Sequence, residues 1–231
     1  VASINPDVVF HFAGNPMVNA GDGLIEANTI LTDRILRGCG ASNFIYASSA
    51  NIYGSACPSY GFSETDTPNP ESLYAVTKLQ GEVLVKFYSK KTGLKGLSIR
   101  YVATVGRNAT HGVLPDVIRK LKENPYEIEL FGEDPGSIKP YLWADQSMSK
   151  TLDLGLMPLP NYDVLNMSPN DQISIDELVD EVLESKNLSP VKKKWAPQYA
   201  WAGDQTDLRV SCRFPDLMSS RMAIRAALGE I

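Results

Sequence analysis

Short apolar runs and longer amphipathic stretches take turns along the first hundred residues, and that alternation leaves few folds open. Val8 to Ala13 (VVFHFA) is too brief for a helix and rich in β-branched and aromatic residues, as a strand buried on both faces of a parallel sheet must be. Helical spacing follows over Leu24 to Gly40. Asn43 to Ser48 (NFIYAS) reads as a second buried strand, running out in the pair Ser48-Ser49. Ser72 to Thr92 reads as a long helix stopped by Gly93, and Leu97 to Val102 (LSIRYV) as a third strand. Strands joined by helices of this length return through right-handed crossovers, so the fold class expected is α/β with a doubly wound parallel sheet.

Beyond Gly106 the pattern loosens. A helix is expected over 113–123, a strand near Ile128 to Phe131, a helix over 145–157, a strand over Val164 to Met167, and a further helix opened by a Ser174/Glu177 capping box. This reads as a smaller α+β lobe. The expected division is 1–106 for the sheet domain and 107–231 for the lobe, with some segments of the second part returning to the first.

Composition excludes several classes. With 43% hydrophobic and 21% charged residues the chain is neither disordered nor fibrous. A net charge of −5 gives no long-range attraction for nucleic acid or an anionic membrane, and the one basic run, Lys192 to Lys194, reads as a solvated face. No apolar run approaches the ~18 residues of a membrane span and no signal-peptide pattern opens the chain, which makes the cytoplasm the expected location. Three cysteines (Cys39, Cys57, Cys212) and two histidines, widely spaced, predict free thiols and no metal site. The chain opens on Val1 and enters a strand within a few residues, as a piece joined in mid-domain would.

The chemistry-bearing residues sit where such a sheet places its ligands, at the C-terminal ends of strands. Tyr74 and Lys78 share one face of the long helix at i, i+4 spacing. Alone the pair is weak evidence, since roughly half of chains of this composition contain it by chance. The strand end that delivers Ser48 and Ser49 gives it context. Lowering a phenol from ~10 to ~7 takes about 4 kcal/mol, and an ammonium ~4 Å away at an effective dielectric of ~20 supplies about that much. Lys78 thereby makes Tyr74 a candidate base, with Ser49 hydrogen-bonding the reacting hydroxyl.

Taken in order, Ser48-Ser49-Ala50-Asn51-Ile52-Tyr53-Gly54, Tyr74-Ala-Val-Thr-Lys78 and Arg100-Tyr101 resemble the extended short-chain dehydrogenases/reductases, the NAD-dependent epimerases and dehydratases. His11-Phe-Ala-Gly14, Asn28, Lys139-Pro-Tyr141-Leu-Trp-Ala-Asp145 and Trp201-Ala-Gly203-Asp204 resemble further family segments, so the likeness spans residues 1 to about 204. The resemblance implies a Rossmann-like fold and an NAD cofactor, with NADP not excluded. It implies Ser49, Tyr74, Lys78 and Asn28 as catalytic residues. It places Phe12, Ala13, Gly14, Asn28, Ala47, Tyr74, Lys78 and Tyr101 at the cofactor, and Ser49, Ala50, Asn51, Val113, Leu114, Lys139 and Asp204 at a nucleotide-sugar substrate. A homodimer through a helix bundle that includes the Tyr74 helix is implied as well.

Within the family, Ser-Ser-Ala ahead of Tyr-Gly is typical of UDP-glucose-type 4-epimerases, where 4,6-dehydratases carry Thr-Asp-Glu. Ser49-Ala50-Asn51 holds no acid to eliminate water, so 4-epimerisation by transient oxidation ranks first. A dehydratase or reductase of the same family, and a non-catalytic or inactive fragment, are the alternatives. The sequence also departs from the family. No glycine fingerprint of a phosphate-binding turn is present, because Gly21-Asp-Gly23 leads to Glu26 and Gly38-Cys-Gly40 follows a helix. Ala103 stands where an asparagine is common and Trp201 where an arginine is common. After Asp204 the family pattern stops, which points to a foreign or frame-shifted tail. Other residues have plainer readings. His11 reads as a packed strand histidine, His111 as a loop or helix-start residue, and Tyr53 and Tyr141 as packing aromatics. Arg100 reads as one half of an ion pair, and Asn28 equally as a backbone pin or a relay.

Overall fold

The computed structural model describes residues 6–17, 21, 23–197, 209–211 and 213–229. In chain order these form β1 (Val8–His11), a π-helical stretch (Ile25–Ile30) running into α1 (Leu31–Gly38), β2 (Asn43–Ser49), a 3-10 turn (Ala50–Tyr53), α2 (Leu73–Thr92), β3 (Lys95–Tyr101) and β4 (Ala103–Val105). There follow α3 (Val113–Glu123), β5 (Glu127–Phe131), β6 (Ile138–Lys139), β7 (Tyr141–Trp143), α4 (Ala144–Leu156), β8 (Tyr162–Met167), β9 (Ile173–Ser174), α5 (Ile175–Ser185), β10 (Lys192–Ala196) and α6 (Ser220–Leu228). The chain divides into two compact units. The first holds Val1–Gly54, Phe62–Tyr101 and Met148–Met167, and the second the remaining segments.

The first unit is built on a wholly parallel sheet of order β1-β2-β3-β8. β2 is buried over six of its seven positions, as its unbroken apolar run requires. α2 starts on Ser72, whose side chain accepts from the Ala75 amide, and stops on Gly93 at φ 80°, where an L side chain would be strained. Leu36, Phe44, Tyr46, Val85 and Tyr88 form one apolar cluster between sheet and helices. α2 lies close against β2 because Gly81 has no side chain: a Cβ there would run into the ring and hydroxyl of Tyr46.

The second unit gathers three short strand pairs, β4-β7, β5-β10 and β6-β9, around a core of Leu114, Val117, Ile128, Tyr141, Leu178 and Ile224. The expected capping box opens α5: Ser174 Oγ accepts from the Glu177 amide, and the Glu177 carboxylate accepts from the Ser174 amide. Two expectations change here. Lys192 to Lys194 lie in β10, parallel to β5: Lys192 and Lys194 are exposed beside Glu127, as a solvated face would be, whereas Lys193 is held on Asp176 and Asp180. Within the segment beyond Asp204, read from sequence as foreign, Ser220–Leu228 form α6, capped by Ser219 and Gly229, with Ala223 and Ile224 fully buried in this core. A segment foreign to the fold would have no reason to match that core.

Replacing Gly81 with alanine should cost about 1–3 kcal/mol of stability through overpacking against Tyr46. Chemical denaturation of Gly81→Ala beside the parent chain checks this, and an unchanged midpoint would show that α2 and β2 can separate freely.

Candidate active site

The C-terminal end of β2 and the N-terminal half of α2 face each other residue by residue. Ala47, Ser48 and Ser49 are the last three residues of β2. The Lys78 ammonium donates to the Ala47 carbonyl at 3.0 Å. Ser48 Oγ donates to Glu82 Oε1 at 2.6 Å. Ser49 faces the Tyr74 phenol and draws its pKa down, the one influence there that opposes burial. Tyr74, Lys78 and Glu82 are spaced four apart, so one helix face meets three consecutive strand residues, with hydrogen-bonded rungs at Lys78 and Glu82. Ser49 also caps the 3-10 turn, its oxygen accepting from the Asn51 amide at 3.2 Å, which leaves the hydroxyl proton to donate.

The electrostatics differ from the sequence argument in one respect. Burial pushes the half-buried Tyr74 phenol above its ordinary range, and the Ser49 hydrogen bond only partly offsets this. The Lys78 ammonium stands 5.7 Å from the Tyr74 ring centroid and 5.5 Å from that of Tyr46. Burial lowers Lys78 to about 8, so it remains mostly charged at neutral pH. The net direction at Tyr74 is upward in spite of this ammonium, so Lys78 by itself does not bring the phenol's pKa into the neutral range.

Asn28 sits in the π-helical stretch, buried, and is fully engaged: its side-chain oxygen accepts from the Asn15 amide at 2.7 Å, and its nitrogen donates to the Asn15 carbonyl and to Thr77 Oγ1. It pins the loop after β1 to the turn of α2 that carries Tyr74 and Lys78. Gly14 belongs to this clip, since a Cβ there would meet the Asn28 side-chain oxygen at 2.6 Å. Phe12 is 42% exposed and tilted against Tyr101 at 5.9 Å, so the ends of β1 and β3 share an aromatic ledge. His11 is packed on Phe44 and Tyr46, with Nε2 on Thr32 Oγ1.

Ser49, Ala50, Asn51, Tyr74, Lys78, Asn28, Phe12, Ala13, Gly14, Ala47 and Tyr101 thus all belong to the first unit, and Val113, Leu114 and Lys139 to the second. Leu114 is buried in the second unit's core and lines a concavity of about 470 Å³ together with Arg107, Arg119 and Lys122. Asp204 lies outside the described residues, as do Trp201, Gly203 and Cys212. Among the described residues no cluster could hold a metal ion, and no helix is long and apolar enough to cross a membrane.

Sequence reasoning missed Glu82. It is 4% exposed and takes Arg100 in a two-pronged pair, Nε to Oε1 at 2.9 Å and Nη2 to Oε2 at 2.8 Å. Its i+4 spacing from Lys78 was the available signal. Tyr53, expected as a packing aromatic, does stack on Phe62 at 4.6 Å, yet its hydroxyl also accepts from Arg100 Nη1 at 2.7 Å and donates to Asn166 Oδ1 at 2.8 Å.

With this geometry in view, a family model, "NAD dependent epimerase/dehydratase family", matches residues 1–145. The chain belongs to that family. Among curated relatives, it is 24% identical to the D-erythronate dehydrogenase of Haemophilus influenzae over 204 residues, 78% of this chain and 61% of that protein. It is 26% identical to the UDP-glucose 4-epimerase of Mycoplasma genitalium over 156 residues, 58% of this chain and 44% of that protein. The chain spans less than two thirds of the length of either. Among solved structures, a UDP-galactose 4-epimerase superposes with a TM-score of 0.84 at 27% identity, over 99% of this chain and 78% of that one. The α/β parallel-sheet class expected from the alternating strands and helices, and the Rossmann-like fold that the resemblance implied, match that solved structure.

Burial, and then the Lys78 charge, hold His11 at about 4, well below its ordinary 6.5. The unfolded chain takes up a proton near 6.5 and the folded chain does not, so stability is full above that pH and is lost as pH falls toward 4, by up to about 3 kcal/mol. Urea unfolding of the parent and of His11→Phe between pH 7 and 4 should show a shallower loss in the variant. Parallel curves would mean that His11 is protonated inside the fold.

Proposed function

We propose that the protein carrying this chain is an NAD-dependent epimerase of a nucleotide sugar, of the UDP-hexose 4-epimerase type, acting by transient oxidation of one sugar hydroxyl. The observation that carries this is the helix face on which Tyr74 and Lys78 meet Ser49 at a parallel-sheet strand end. In this reading residues 1–106 are the remainder of the cofactor domain, and 107–231 are mainly the substrate lobe.

The residues present fit one end of the cofactor. Lys78, Tyr74, the exposed Phe12, Ala13 and Gly14 of the loop that Asn28 pins, and Tyr101 suit a ribose and a flat nicotinamide ring. No glycine-rich turn stands in the sequence to receive the pyrophosphate. The cofactor is NAD in the first instance, with NADP open. When bound, it supplies a hydride acceptor and a positive charge. Tyr74, as the phenolate, then takes the sugar hydroxyl proton on its phenolic oxygen, Ser49 turns its one hydroxyl proton from the phenolate to the sugar oxygen, and Lys78 stabilises the phenolate before the transfer. Ala50 and Asn51 follow Ser49 around the substrate. Val113, Leu114 and Lys139 are assigned to the nucleotide diphosphate, Leu114 through its backbone because its side chain is buried. Leu73, Val83 and Phe87 leave an apolar face on α2, Val83 60% and Phe87 54% exposed, which supports a homodimer through this helix.

A second reading, an NAD(P)-dependent dehydrogenase, is favoured by the likeness to D-erythronate dehydrogenase over 78% of this chain. Product mass separates the two, since epimers are isobaric. Incubation with NAD+ and UDP-glucose should yield an isobaric UDP-hexose, and Tyr74→Phe should slow it by about 10²–10⁴-fold. Failure to interconvert any nucleotide hexose would overturn the proposal.

A further inference from the structure

We propose that Glu82 is a positioning residue that sets the distance between Ser49 and Tyr74, through its hydrogen bond to Ser48 and its hold on Arg100. The inference rests on the reading of Tyr74 as the proton acceptor.

Ser48, Arg100 and Asn166 lie in register across β2, β3 and β8, so one polar row crosses the parallel sheet. Glu82 reaches this row from α2. Its Oε1 accepts from both Ser48 Oγ and Arg100 Nε, and its Oε2 accepts from Arg100 Nη2. Arg100 Nη1 continues to the Tyr53 hydroxyl, which is tied to Asn166 and to the Ser63 carbonyl. Tyr53 is the last residue of the 3-10 turn that Ser49 caps. The turn is therefore clamped at both ends to one ion pair: at the front through Ser48, the residue before Ser49, and at the back through Tyr53. The Ser49 backbone is held in register with Tyr101 at the end of the β2–β3 ladder, and its side-chain oxygen takes only the 3.2 Å cap, so the placing of the hydroxyl depends on how Ser48 and the turn are held. A buried pair of this kind adds little net stability over an apolar replacement, but it tolerates only one arrangement of its donors and acceptors. That property suits a part whose task is to fix a distance. Neither Glu82 nor Ser48 bonds the phenol, so both act through Ser49.

The test uses the 231-residue chain with ¹³Cζ-labelled tyrosine, the Tyr74 resonance being assigned with Tyr74→Phe. The groups facing Tyr74 are Ser49 and Tyr46 from β2 and Lys78 from its own helix. Alkaline titration of Ser48→Ala, which removes one rung and leaves the Glu82–Arg100 pair intact, should move Tyr74 upward by about half a unit or more as the Ser49 bond is lost. Its circular dichroism should match the parent. Glu82→Gln should move Tyr74 the same way; should that variant not fold, Ser48→Ala still decides. In the cofactor-loaded protein, Ser48→Ala should lower kcat about tenfold and leave KM within about twofold. A Tyr74 titration unchanged in every folded variant would overturn the proposal. A parent without epimerase activity would sink the proposed function instead, while the tyrosine titration would still decide the role of Glu82.

Discussion

The buried pair of Glu82 and Arg100 is the junction at which α2, β2, β3 and the turn after β2 meet. Both side chains are 4% exposed, and an unpaired charge at that depth would cost several kcal/mol. Burial opposes the Arg100 charge, and the Glu82 hydrogen bonds and charge more than offset it, holding the guanidinium firmly protonated. The carboxylate oxygens are filled by Arg100 and Ser48, and the remaining guanidinium arm by Tyr53. Because these partners come from α2, β2, β3 and the turn after β2, satisfying one pair of charges fixes four pieces of chain against one another. Asn166 brings in a fifth, β8.

The same economy is visible in what surrounds the pair. Gly81, beside Glu82, lets Tyr46 lie under α2, and Lys78, one turn earlier, spends its ammonium on the Ala47 carbonyl. The helix is thus held to the strand by close contact at one residue and by polar rungs at its neighbours. The Asn28 clip does the same for the loop after β1. An arrangement that rigid brings a phenol, a hydroxyl and an ammonium together before any ligand arrives, which is the condition for orientation to assist a proton transfer.

Much of this was legible in the sequence. The continuous apolar runs gave β2 and β3 because strands buried on both faces cannot alternate, and the Ser174/Glu177 spacing gave the start of α5. The Tyr74/Lys78 pair and the Ser48-Ser49 strand end were visible for the same local reasons. What escaped was non-local or too short to have a period. Glu82 meets Ser48 across 34 residues and Arg100 across 18, so its i+4 spacing from Lys78 puts it on the right helix face but does not reveal the partners that bury it. β6 and β9 are two residues each. β10 was masked by its lysines, whose partners Glu127, Asp176 and Asp180 lie on other elements. α6 was hidden because its buried face is meaningful only against a core assembled from distant segments.

The proposed function requires reversible oxidation of a single sugar carbon. Deuterium placed on C4 of UDP-glucose tests it most directly, with the isomer formed in the presence of NAD+ analysed by mass and NMR. The account predicts that the label remains on C4 of the product, undiluted by solvent hydrogen. Loss of the label to water, or a product of altered mass, would contradict it.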